Sequence, residues 1–173
     1  MIKNHRLLVT MLAGSFLVIF TFIVYLDQVK QYPNPLFQLI DGNQVSLRDF
    51  HGKPVVILFW ASTCHICLAE LPGLNKFYKE FTNDKFELIA VSMPYDPPNR
   101  VVDTVDIMNI TFPVAIDIES QVINAFGDVS ATPTTVIISP RGRIITRTVG
   151  EININDIRNQ IMDIISHNNP ATT

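Results

Sequence analysis

Val55–Trp60 (VVILFW) is a wholly apolar six-residue run, and four residues later, at Cys64, the pattern turns helical. A strand with no polar face must be buried on both sides, as strands of parallel sheets covered by helices are. After it, Cys67, Leu71, Leu74, Tyr78 and Phe81 recur at 4-3-4-3 spacing and lay one apolar stripe along a helix. A buried strand that feeds straight into an amphipathic helix is the first half of a βαβ unit, which restricts the chain to an α/β architecture. Pro72 inside the helical pattern predicts a kink after its first two turns.

The flanking segments complete the pattern. Leu36–Ile40 and Gln44–Leu47 enclose Asp41-Gly42-Asn43, the turn chemistry of a hairpin. Phe86–Ser92 is a second buried strand, and Met93–Asn99 is a loop whose Pro97-Pro98 marks a helix entry. Val101–Met108 has helical spacing, Phe112–Asp117 reads as a strand, and Ser120–Phe126 is a short helix stopped by Gly127. Thr134–Ser139 and Arg143–Val149 form a second hairpin around Pro140-Arg141-Gly142. Asn155–Ser166 is a closing helix with Ile157, Ile161, Ile164 and Ile165 on one face. This order predicts a central mixed sheet flanked by helices, with an antiparallel edge from the last hairpin and an extra hairpin at the N-terminal end. Residues 36–167 form one domain, and 168–173 read as a flexible tail.

Leu7–Leu26 carries no charged side chain over a length that suits the hydrocarbon core of a bilayer. Lys3, His5 and Arg6 precede it, so residues 1–6 are expected in the cytoplasm, 7–26 as an uncleaved signal anchor, and everything beyond outside. A cleaved signal peptide would need a shorter apolar region followed by a small-x-small site, and a lipoprotein signal would need Cys where Ser15 stands. Residues 27–35, polar with two prolines, read as a stiff tether.

Cys64 and Cys67 are the only cysteines in 173 residues. A domain of this size needs no disulfide staple, so the pair reads as chemistry: a redox couple or half of a metal site. Cys64 at a helix start would be favoured as a thiolate. The net charge of −3, with no basic stripe, argues against nucleic acid as a partner.

Taken together, these segments resemble the membrane-anchored TlpA/ResA type of thioredoxin-fold protein over residues 36–166. Phe37–Gly42 and Val45–Pro54 resemble that family's leading hairpin and its approach to the central strand. Phe59-Trp60-Ala61-Ser62-Thr63-Cys64-His65-Ile66-Cys67 resembles its active-site segment, and Glu70-Leu71-Pro72 the continuation. Ala131-Thr132-Pro133-Thr134-Thr135 resembles the loop in which such proteins hold a cis-proline facing the disulfide. Three departures stand out: Thr63 where Trp is usual, Leu58 where cytosolic thioredoxins carry a buried acid, and no Pro-Glu-Thr before Pro133.

The resemblance implies a thiol–disulfide oxidoreductase on a thioredoxin fold. Cys64 would be the attacking thiolate and Cys67 the resolving thiol. Glu70 would be a partly buried acid that takes the proton of Cys67, and the backbone at Thr132 would pair with an extended substrate beside Pro133. Trp60 and His65 are expected to border the substrate. A cationic His65 would stabilise the thiolate, whereas an outward-pointing ring would do little. The resemblance further implies an anchored monomer at the bacterial inner membrane, its domain facing the periplasm or cell exterior. There it would reduce protein disulfides, as in cytochrome c maturation or copper-site assembly, and be recharged by a membrane electron donor. No cofactor beyond the Cys64–Cys67 disulfide, and no resident metal, is expected. A Cu(I) metallochaperone on the same fold is the alternative, although Sco-like copper proteins use a Cys-x-x-x-Cys spacing with a distant His. A peroxiredoxin is excluded, since Ile57 and Ala61 stand where its motif needs Pro and Thr.

Overall fold

The computed structural model describes residues 14–22, 33–127 and 129–168. The chain divides into two units, Met1–Tyr32 and Pro33–Thr173. In the first, residues 14–22 form a helix, α1. The expected anchor over 7–26 and the tether over 27–35 otherwise lie outside the described residues, except for residues 33–35. So does the tail after residue 168. Among the described residues no helix is long and apolar enough to cross a membrane.

The second unit is built on a five-stranded sheet in the order β5-β4-β3-β6-β7. Its strands are β3 (Val55–Trp60), β4 (Glu87–Ser92), β5 (Val114–Ile116), β6 (Thr134–Ile138) and β7 (Ile144–Val149). β3, β4 and β5 are parallel, while β6 and β7 run antiparallel to their neighbours, so the sheet is mixed. The helices between them are α2 (His65–Lys85), α3 (Pro98–Ile107) and α4 (Gln121–Phe126), and α5 (Ile154–Asn168) ends the fold.

Alternation along β3 explains why that strand had to be apolar throughout. Val56, Leu58 and Trp60 point into one core with Leu71, Leu74 and Phe77 of α2, Val101 of α3 and Ile157 of α5. Val55, Ile57 and Phe59 point into a second core with Val122 and Phe126 of α4. Every residue of β3 is buried.

A separate antiparallel pair, β1 (Leu36–Gln38) and β2 (Gln44–Ser46), precedes the sheet. Asp41 accepts the Asn43 amide at 2.9 Å, and Gly42 takes the φ of 88° that the turn demands. Phe37 inserts into the second core, and the Ile40 amide donates to the Val114 carbonyl at 2.9 Å, which covers the β5 edge. The strand expected over Phe112–Asp117 shortens to Val114–Ile116 because Asp117 turns inward to cap α4, accepting the amides of Val122 and Ile123. α2 runs unbroken through Pro72, whose ring is exposed, so the missing amide hydrogen bond falls on the solvent side.

Candidate active site

β3 ends at Trp60, and three further residues bring the chain to Cys64. The Cys64 amide donates to the Ala61 carbonyl at 3.0 Å, closing a tight turn. Cys64 is the N-cap of α2: its backbone is extended and its Sγ accepts the Cys67 amide at 3.2 Å. A sulfur in this position faces the unpaired amides and positive end of the helix, which favour negative charge. Cys64 is bonded to Cys67 across a Cα–Cα distance of 5.2 Å. The two sulfurs have unlike surroundings. Cys64 is half-buried and packs against both cores, whereas Cys67, one turn in, is wholly buried in the core beneath α2.

His65 is exposed, and Ile66 is 51% exposed beside it. The Thr132–Pro133 peptide is cis. Phe59 pairs with Thr134 across β3 and β6, so one step further along the ladder sets Pro133 level with Trp60, at the end of β3 from which the Cys64 turn departs. Thr132 is half-buried and Pro133 buried, with the Pro133 carbonyl accepting the Gly150 amide at 2.8 Å.

Trp60, expected to border the substrate, is wholly buried in the core that holds Cys67, with its indole N–H unpaired. The reason is its place at the end of a strand covered on both faces, where the inward side of β3 leaves no outlet to solvent.

Glu70 lies three residues beyond Cys67 on α2 and is half-buried. Its Oε1 accepts the amide of Ile152, 82 residues away, while its Oε2 is buried with no partner. Burial holds the Glu70 carboxyl above the ordinary carboxylate range; the Ile152 amide opposes that rise and the nearby Glu151 adds to it. Leu58, at the position of the missing thioredoxin acid, is buried in the same core as Cys67.

Sequence reasoning missed a second acid. Asp96, read only as loop, is 3% exposed and accepts both the amide and the hydroxyl of Ser62. The available signal was positional. β3 and β4 are adjacent and parallel, so an acid just past the end of one strand comes to lie beside the turn that follows the other.

A disulfide capping a helix that follows the C-terminal end of a central strand, with a cis-proline just ahead of the neighbouring strand at that same end, defines a thioredoxin-like thiol–disulfide oxidoreductase. The profile of the AhpC/TSA family matches residues 30–147, and the chain belongs to that family. Within it the chain is of the ResA type. It is 33% identical over 132 residues to the thiol–disulfide oxidoreductase ResA of Bacillus subtilis (strain 168), covering 75% of this chain and 73% of that one. It is 34% identical over 116 residues to ResA of Halalkalibacterium halodurans, covering 67% and 65%. Among solved structures, a putative thioredoxin from Neisseria meningitidis superposes with a TM-score of 0.72 at 31% identity, covering 81% of this chain and 92% of that one. StoA of Bacillus subtilis shares the fold, with a TM-score of 0.64 at 23% identity over 72% and 92%.

Proposed function

We propose that the domain works outside the cytoplasm, anchored by residues 7–26, as a reductant of disulfides in partner proteins. The observation that carries this reading is the asymmetry of the pair: one sulfur at a helix tip within reach of a partner, the other sealed beneath it. In the reduced protein the Cys64 thiolate attacks one sulfur of a substrate disulfide, forming a mixed disulfide and releasing the other substrate sulfur as a thiolate. The Cys67 thiol passes its proton to Glu70 and attacks Cys64. The Cys64–Cys67 disulfide forms, and the second substrate sulfur leaves with the electron pair. A carboxylate lifted by burial is better matched to a thiol than an ordinary one, which suits Glu70 to this transfer. The substrate lies as an extended segment along the backbone at Thr132, beside cis-Pro133 and within reach of the exposed His65. No cofactor takes part besides the disulfide itself, and a membrane electron donor restores the dithiol. The protein acts as a monomer, and an apocytochrome c or a copper-site protein is the class of substrate that suits this reading.

The purified full chain is expected to catalyse insulin disulfide reduction by dithiothreitol, and Cys64→Ala to abolish it. Cys67→Ala is expected to stall on its partner and trap it as a mixed disulfide in cells. Tight stoichiometric Cu(I) binding without exchange activity would overturn the reading.

A further inference from the structure

Ser62, in the turn between β3 and α2, is held from 34 positions away. One oxygen of the buried Asp96 carboxylate accepts the Ser62 amide and the other accepts the Ser62 hydroxyl, each at 2.5 Å. The loop carrying Asp96 is itself tied down. The Met93 amide donates to the Trp60 carbonyl at 2.9 Å, and the Asp96 amide to the Met93 carbonyl at 2.9 Å. Because the Cys64 amide closes on the Ala61 carbonyl, Ser62 belongs to the same turn as Cys64, and fixing one fixes the presentation of the other.

The clamp also brings charge. A single residue, Thr63, separates Ser62 from Cys64, which puts the carboxylate on the order of 10 Å from the Cys64 sulfur. An anion sheltered from solvent at that range, at an effective dielectric of about 20, changes the ionisation equilibrium of the sulfur by up to about tenfold. The helix terminus favours the Cys64 thiolate, and Asp96 opposes it. A reduced state with a less stable thiolate gives up its electrons more readily.

We propose that Asp96 is a positioning residue that holds the Cys64 turn through Ser62 and, by its charge, biases the Cys64–Cys67 couple toward the disulfide, making the reduced protein a stronger reductant. The inference rests on Cys64 being the exchanging sulfur. It is tested on the redox equilibrium of the full chain with glutathione, which does not depend on turnover of any substrate. In that equilibrium two glutathione thiols give two electrons to the Cys64–Cys67 bond, forming glutathione disulfide, and their two protons pass to the protein sulfurs or to solvent.

Asp96→Asn removes the charge and keeps the turn, since the amide oxygen still accepts from the Ser62 backbone and the hydroxyl can rotate to accept from the amide nitrogen. The equilibrium constant for reduction is expected to rise several-fold, to at most about tenfold. Ser62→Ala keeps the charge and loosens the clamp, so the constant is expected to stay within about twofold while exchange slows several-fold. An unchanged constant in Asp96→Asn, or an equal shift in Ser62→Ala, overturns the proposal. Should Asp96→Asn fail to fold, Asp96→Glu decides: a wild-type constant with slower exchange supports the role of charge, and a several-fold shift overturns it. A wild-type chain that shows this equilibrium behaviour but fails to reduce insulin would sink the reductant reading and leave the Asp96 inference standing.

Discussion

Two carboxylates flank the disulfide, and the structure treats them differently. Asp96, on the β3–α2 turn side, has both oxygens engaged by Ser62. Glu70, on the helix side, has one oxygen on the Ile152 amide and the other buried without a partner. A carboxylate with both oxygens engaged by the same residue acts as a fastener. One left half-answered in a desolvated place accepts a proton at little cost and is the better candidate for chemistry. Position along the chain would have ranked them alike, each a few residues from a cysteine or from the loop beside it. Hydrogen-bond accounting separates them.

The sharpest way to break this comparison is truncation. Asp96→Ala leaves the Ser62 amide and hydroxyl without their partner and is expected to cost about 2–3 kcal/mol in chemical denaturation. Glu70→Ala removes one hydrogen bond but also a buried oxygen that has no partner, so its expected cost is at most about 1 kcal/mol. The reverse order would show that the roles are exchanged.

A smaller effect lies in the kinetics of release. With a mixed disulfide preformed on Cys64, Glu70→Gln is expected to slow its resolution by Cys67 about tenfold or more, and Asp96→Asn to leave that step within about threefold. Equal slowing in both would remove the distinction between proton acceptor and fastener.

The smallest effect is in the pH dependence of stability. Because the Glu70 carboxyl is raised in the folded state, its ionisation is penalised there. Well below the ordinary carboxylate range the group is protonated whether folded or unfolded and contributes no penalty. As pH climbs through the ordinary value and on to the raised one, the wild type loses stability that Glu70→Gln does not lose. The melting temperature of Glu70→Gln relative to wild type is therefore expected to improve from acid to neutral pH, and a constant difference would contradict the assigned direction.

Much of the frame was legible from local pattern. The apolar run Val55–Trp60, the helical stripe after Cys64, the Asp41-Gly42-Asn43 turn and the placement of Cys64 at a helix start all depend on backbone preferences and periodicity over a few residues. Those are properties a sequence carries on its own. The thioredoxin-like order of elements then followed, with Thr132-Pro133 just ahead of the strand that pairs with β3.

What only the folded chain decided is which groups meet. The partner of Glu70 comes from the approach to α5, that of Asp96 from the turn after β3, and the sealing of Trp60 from helices packed over β3. Each of these depends on how strands line up side by side and on which groups are left without water once helices cover them. Hydrophobic periodicity specifies a face to bury but not the partner that arrives there. The chain therefore announced its sulfurs in one dimension, while the surroundings that set their reactivity exist only in three.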